Sequence, residues 1–252
     1  MMETQPLVSV IMPSYNAEKY IAESIESVLH QTYANWQLVI TDDCSTDRTP
    51  EIVEKYRKQD PRIDFAIAKQ HSGIAATRNL CLSRAKGRFV AFLDNDDLWL
   101  PNKLKMQVRF MLDNGCAFSY SDYELLNEDG SPKGKTIKTA GVINYNRYLR
   151  NTIIGSGTIM LDRNQTGSLV MPDNATSDDM ALWCKILKDG HNAHPIKEVL
   201  MKYRVRNNSA SANKWKAAKD VWRVYRQQEK LPFFKASACF VCYAFNAIIK
   251  RL

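Results

Sequence analysis

Phe89-Val90-Ala91-Phe92-Leu93-Asp94-Asn95-Asp96-Asp97 runs from a continuous apolar segment straight into three carboxylates within four residues. The apolar half predicts a buried strand. The carboxylates repel one another, and such a cluster at a strand end is costly unless a cation or hydrogen-bond donors offset it. Oxygen ligands at this density suit Mg2+ or Mn2+ shared with substrate phosphates. Taken alone, the run reads equally well as a solvated acidic loop with a helix cap.

Upstream, the same kind of strand recurs. Leu7 to Met12 is a β-branched apolar run ended by Pro13, Trp36 to Thr41 is a second, and Ile63 to Ala68 a third. Helical spacing of Tyr20, Ile21, Ile25, Val28 and Leu29 predicts a helix that Asn16 can cap. Thr49-Pro50 supplies a cap and a first-turn proline for a helix to about Gln59. Ile74 to Arg84 reads as a helix closed by Gly87. Alternation of helices with short, continuous apolar strands predicts an α/β fold: a doubly wound, mostly parallel sheet flanked by helices.

Ligands of such sheets bind at the carboxyl ends of the strands. Ser14-Tyr15-Asn16, Asp42-Asp43, His71-Ser72-Gly73 and Asp94 to Asp97 should therefore open on one edge. Tyr15 can pack on a flat base. Asp43 can accept from an imide N–H or a ribose hydroxyl, and Arg78 can reach a diphosphate. Singly, these residues are as well explained by a rim tyrosine, a turn and a surface ion pair. Their convergence on one edge is what points to a nucleotide diphosphate.

The second half is less regular. Leu104 to Leu112 predicts a helix, Ala117 to Leu125 a strand, and Asn127 to Pro132 a turn. A short helix follows at Asn144 to Arg150, and Gly155-Ser156-Gly157 precedes a strand at Thr158 to Leu161. That glycine pair reads as an acceptor-side loop or a plain turn. Ser177-Asp178-Asp179 can cap a helix through Lys188, and Glu198 to Val205 reads as a strand. A boundary is expected near Asn213.

The 252 residues carry a net charge of +8, with much of the excess after Lys197. Such a balance suits either nucleic acid or a surface of anionic lipid. Six cysteines include one close pair, Cys239 and Cys242. Without a second pair a zinc site is not expected, and buried thiols in a reducing compartment fit better. Met1 to Pro6 is polar and Leu7 to Met12 too short for a signal peptide, and no apolar run is long enough to span a bilayer. From Lys214, Trp215, Ala218, Val221, Trp222, Val224 and Tyr225 share one half of a helical wheel, with basic residues beside them. Two readings stand: a helix lying in a membrane interface, or one packed on the domain. Phe233 to Ile249, broken by Lys235 and Asn246, suits dipping into a bilayer surface, and Lys250-Arg251 adds attraction to anionic lipid.

From Val8 to about Ser211 the chain resembles the family 2 glycosyltransferases, which have the GT-A fold. The resemblance lies in Val8 to Asn16, Asp42 to Thr49, Gly73 to Asn79 and Phe92 to Pro101, in that order and spacing. Asp178-Asp179 with Leu182-Trp183 resembles the family's Glu-Asp-x-x-Leu-Trp motif. Tyr203-Arg204-Val205-Arg206 with Ser209 and Ser211 resembles a late motif that closes over the donor. The resemblance implies nucleotide-sugar contacts from Pro13, Tyr15, Asp43, Arg78, Asp94, Asn95 and Arg204. It implies Mn2+ or Mg2+ on Asp96, with Asp97 supporting the loop. It makes Asp179 the general base, beside Asp178. Cys44 stands where glycine is usual, Asp178 where glutamate is, and Thr77 where alanine is common; these departures leave the chemistry unchanged. Arg206 stands in place of histidine and cannot coordinate a cation.

One carboxylate base and no covalent intermediate imply inversion. The expected reaction moves a hexose or N-acetylhexosamine from a UDP-sugar to a polyprenyl-diphosphate-linked saccharide, in lipopolysaccharide O-antigen or capsule assembly. Residues 1–213 form the catalytic domain: 1–100 for the nucleotide, 101–213 for the acceptor. Residues 214–252 form a basic helical tail. The protein is expected in the cytoplasm, peripheral on the inner face of a bacterial plasma membrane. A nucleotidyltransferase would carry an early Gly-rich phosphate loop, and Pro13-Ser14-Tyr15-Asn16 has no glycine. A nucleic-acid binder would need its basic aromatics on the main fold, whereas they sit in the tail.

Overall fold

The computed structural model describes residues 5–172, 178–206 and 214–249. The first half is β1 (Val8–Ser14), α1 (Ile21–Leu29), β2 (Trp36–Asp42), α2 (Thr49–Gln59), β3 (Ile63–Ile67), α3 (Ile74–Arg84) and β4 (Phe89–Phe92). These four strands are parallel, in the order β3-β2-β1-β4. The chain winds outward from β1 to β3 and then crosses to its other side, so the topological switch lies between β1 and β4. Tyr15 and the acidic run sit just beyond these two carboxyl ends.

The second half adds β5 (Leu98–Trp99), α4 (Lys103–Asn114), β6 (Phe118–Leu126), β7 (Pro132–Ile137), α5 (Tyr145–Arg150), β8 (Met160–Asp162), α6 (Arg163–Thr166), α7 (Asp178–Lys188) and β9 (Ala193–Arg204). It extends the same sheet in the order β4-β8-β6-β9-β5, with β7 on β6. Here β6 and β9 are parallel, while β8, β5 and β7 pair antiparallel. Residues 127–131, read as a turn, close the β6–β7 hairpin. Only β6 and β7 are joined by a short hairpin return; β8 and β5 reach their antiparallel partners through long connections that include helices.

Local signals met different partners in space. Asn16 does not cap α1; its Oδ1 accepts the Thr46 amide at 2.8 Å, tying the loop after β1 to the loop after β2. Thr49 does not cap α2 either. Its Oγ1 accepts from Ala17 N at 2.8 Å, and the capping carboxylate is Asp47, which accepts from Thr49 N at 2.9 Å. Cys44 has φ of 61°, the left-handed region where its usual glycine costs nothing. Its thiol donates to Ala68 O at 3.3 Å, so this departure is a strained turn held by one bond. All six cysteines are free thiols, four of them buried.

Beyond the expected boundary come α8 (Lys214–Arg223), a π-type turn at Val224–Gln228 and α9 (Phe233–Ile249). Val221, Val224, Tyr225, Leu231, Ala236 and Cys239 join the core beneath α5 and α7. Packing therefore takes the apolar half of α8, and the interfacial reading does not describe that face. Trp215 is the exception, 84% exposed. Among the described residues no helix is long and apolar enough to cross a membrane.

Candidate active site

The acidic run is held from three sides. Asp94 Oδ1 accepts from Arg78 Nη2 at 2.8 Å, and the Arg78 side chain is buried on α3. Asp96 Oδ2 lies 2.8 Å from Arg206 Nε, an ion pair without hydrogen-bond alignment. Burial pushes Asp96 up to about 6, with the Asp94 charge adding and Arg206 opposing. Asp97 is fully buried; its Oδ1 accepts the Arg204 amide at 2.9 Å and its carbonyl accepts from Ser24 Oγ at 2.8 Å. Burial pushes its carboxyl well up, and Asp96 and Asp94 add to this.

Arg204, expected against the nucleotide-sugar, lies beneath the loop instead. Its guanidinium donates to Asp96 O at 2.9 Å, Glu128 O at 3.2 Å and Glu23 Oε2 at 2.6 Å, and lies 4.9 Å from the Tyr20 ring centre. Glu23 and two carbonyls draw the guanidinium inward, so it braces the loop. Arg206 is the arginine that meets the Asp96 carboxylate. The side chain of Asp178, and Ser209 and Ser211, lie outside the described residues.

At the β1–β2 end, Asp43 accepts from Ser72 N at 2.9 Å and Gly73 N at 2.8 Å, with His71 Nδ1 2.9 Å from its Oδ2. It thereby holds the start of α3, the helix that carries Arg78. A carboxylate accepts about four hydrogen bonds, so this is compatible with an additional ligand contact. Tyr15 is 46% exposed and stacks on His71, ring centres 4.5 Å apart. Asn95 Nδ2 donates to Pro13 O at 3.3 Å, closing the gap between the two loops. The four strand ends thus meet on one edge, as their order predicts.

Asp179 opens α7. Its Oδ2 accepts from Ser156 Oγ at 2.6 Å and its Oδ1 from Met180 N at 2.7 Å. Leu182 and Trp183 anchor the helix behind it. The Trp183 ring lies 5.6 Å from Phe92 and 5.5 Å from Phe118. Phe92 is two residues from Asp94, so the paired Leu-Trp sets Asp179 relative to the acidic run.

Ser156 belongs to a one-turn helix, Ser156–Thr158, whose next residue faces the other carboxylates. A methyl group on Gly157 would stand 3.7 Å from Asp97 Oδ2 and 2.5 Å from Met201 Cε. Trp99 Nε1 donates to Gly157 O at 3.0 Å. One three-residue turn therefore bonds Asp179 through Ser156 and places Gly157 beside Asp97 of the acidic run.

Beneath this turn lies Lys103, fully buried. Its Nζ donates to Gln107 Oε1 and, at 3.2 Å, to Thr158 O; Gln107 Nε2 donates to the same carbonyl at 3.0 Å. The sequence pattern starts this helix at Leu104 and leaves Lys103 without a role; packing makes it a strut. Burial disfavours its ammonium and drops its pKa well below the ordinary 10.5. The folded chain then holds fewer protons than the unfolded chain between that lowered pKa and 10.5, so stability rises with pH across this window. The slope is up to about 1.4 kcal/mol per pH unit. Lys103→Met should remove this contribution, seen as a flatter rise of the urea midpoint between about pH 7 and about pH 9.

Among the described residues no three His, Cys, Asp or Glu side chains converge as a metal cage. Asp96 offers a single hard carboxylate. Mg2+ and Mn2+ use one or two carboxylates and complete their shell with phosphate and water. The residues fit a metal shared with a ligand, and they do not fit a closed site built of protein alone.

A model of the family described as glycosyl transferase family 2 matches residues 9–175. The chain belongs to glycosyl transferase family 2. This glycosyltransferase is 50% identical over 248 residues to TuaG of Bacillus subtilis (strain 168), assigned to teichuronic acid biosynthesis, with 98% of each chain covered. It is 44% identical over 219 residues to WfgD of Escherichia coli, covering 86% of this chain and 85% of that one. WfgD is named as a β-1,3-glucosyltransferase from UDP-Glc to α-D-GlcNAc-diphosphoundecaprenol. In fold it is similar to the mannosyltransferase PcManGT of Pyrobaculum calidifontis in complex with GDP-Man and Mn2+, at a TM-score of 0.71 and 20% identity, over 98% of this chain and 71% of that one. The fold of this family 2 enzyme is GT-A, a mixed sheet flanked by helices.

Proposed function

We propose that this glycosyltransferase moves a hexose or N-acetylhexosamine from a UDP-sugar to a saccharide on a polyprenyl diphosphate, with inversion, in assembly of a bacterial surface polysaccharide such as an O-antigen or capsule. The observation that carries this is the Ser156–Thr158 turn, in which Ser156 bonds Asp179 and Gly157 lies beside Asp97 of the acidic run. The names of TuaG and WfgD support the polysaccharide and the lipid-linked acceptor. Such an acceptor lies at a membrane surface, and we place the protein there, on the cytoplasmic face.

Residues 1–100 would hold the nucleotide, with Tyr15 on the base and Asp43 at the base or ribose. Asp94 would take the ribose while keeping Arg78 aimed at the phosphates. Asp96 would hold Mn2+ or Mg2+, which when bound supplies positive charge to the nucleoside diphosphate leaving group. Asp179, on the acceptor side, would take the proton from the attacking hydroxyl while Ser156 keeps its carboxylate oriented. A single base opposite the leaving group inverts the anomeric carbon.

Binding of UDP-glucose, UDP-galactose, UDP-GlcNAc and GDP-mannose with Mn2+ present tests the donor class. A UDP-sugar should bind and release UDP on addition of a GlcNAc-diphospholipid, giving a β-linkage from an α-linked donor. Asp96→Asn should weaken the Mn2+-dependent part of UDP affinity about tenfold or more. Binding of GDP-mannose alone, or retention at the anomeric carbon, would sink the proposal.

A further inference from the structure

The second tail helix has two unlike faces. Ala236 and Cys239 are buried, Phe240 and Tyr243 half-buried, and Asn246 Nδ2 donates to Arg150 O at 3.1 Å. On the other face, Phe234, Ala238, Val241 and Phe245 are exposed, the phenylalanines and valine at 87%, 64% and 68% in the order Phe234, Phe245, Val241. Their spacing of four, three and four residues keeps them within a narrow arc of one helix face. A core-facing stripe has this spacing, yet none of the described residues covers it. Phe233, 59% exposed, lies beside the stripe at the helix start, with its ring against Trp222.

We infer that this stripe is a membrane-docking face that seats α9 in the headgroup region of an anionic bilayer. Charge selects the occupant. From residue 230 to 252 the charged residues are Lys230, Lys235, Lys250 and Arg251, with no Asp or Glu. A second copy would bring the same cations together, whereas an anionic leaflet neutralises them. A helix of 17 residues with an apolar face and basic neighbours lies in the interface plane and does not span. The lipid-linked acceptor proposed above gives this face its use; the stripe itself is independent of that reading.

The test is co-sedimentation of the full chain with vesicles of phosphatidylglycerol and phosphatidylcholine, beside vesicles of phosphatidylcholine alone. The wild type should partition to the anionic vesicles. The triple variant F234E/V241E/F245E should bind them about tenfold or more weakly, with an unchanged melting temperature because these side chains touch solvent. Lys235→Glu should weaken binding to the anionic vesicles by several-fold. UDP release to a water-soluble acceptor should be the same for all variants. The inference fails if the wild type stays in the supernatant, or if the triple variant sediments as the wild type does. It fails equally if the wild type is a dimer that the triple variant dissociates, since a second copy then covers the stripe. Absence of UDP release from the wild type would overturn the transferase reading and leave the vesicle result standing.

Discussion

Replacing Asp179 by Asn should lower the rate of sugar transfer by about 10²–10⁴-fold and leave UDP affinity within about twofold. Asparagine keeps the shape: its Oδ1 can accept from the Met180 amide, and its Nδ2 can donate to Ser156 Oγ in place of the bond that the carboxylate accepts. It cannot take a proton. The helix behind it stays anchored by Leu182 and Trp183, which pack away from the substitution. Ser156→Ala should have a smaller effect of the same kind, since it frees the Asp179 carboxylate without removing it. The rate is read as UDP release and the affinity by titration calorimetry. The two functions are separable because Asp179 belongs to α7, whereas the nucleotide loops follow β1, β2 and β4. If Asp179 only opens a helix, the asparagine variant keeps full activity, and the assignment of the base is wrong.

Gly87→Ala should be the most damaging single methyl in the sheet. A Cβ there would lie 2.6 Å from Leu7 O, 2.7 Å from Ser9 N and 2.8 Å from Ser9 Oγ. Two of these are backbone atoms of the first strand and its entry, which cannot move without breaking the β1–β4 ladder. Gly87 N also donates to Ser9 Oγ at 2.8 Å, a bond that the displaced chain would lose. The expected cost is about 3 kcal/mol or more, roughly 6–12 °C in melting temperature for a chain of this size. Calorimetry of the purified variant measures it. The glycine does not close the preceding helix, as its position after Arg84 suggests; α3 already ends at Ala85. It is there because β4 must start against β1 with no side chain between them.

The parallel half of the fold is legible in the sequence because β1, β2 and β4 are largely apolar and almost wholly buried. A strand buried on both faces leaves only one kind of sheet, and such a sheet brings its carboxyl ends to one edge. Tyr15, Asp43, Arg78 and Asp94 meet there for that reason. The second half is harder to read. Its strands range from two residues to twelve, are partly polar, and pair with partners distant in sequence, so pairing depends on register and not on period. Residues 132–137, with four polar or glycine positions among six, carry no alternation that would mark them as β7.

Local chemistry at the site divides the same way. Residue type and spacing alone determined the acidic run, the Asp-Asp-x-x-Leu-Trp helix and the family, because those features are contiguous in the chain. The tertiary structure decided how each side chain is used. It turned Arg204 inward onto Glu23, gave Asp43 to the start of α3, and buried Lys103 under a turn that sequence presents only as Gly-Ser-Gly. It also spent the apolar face of α8 and one side of α9 on the core, and left the Phe234, Val241 and Phe245 side of α9 exposed. A hydrogen bond or a buried contact is made with whatever the fold brings within a few ångströms. For these groups that partner lies tens of residues away, where no local pattern can point to it.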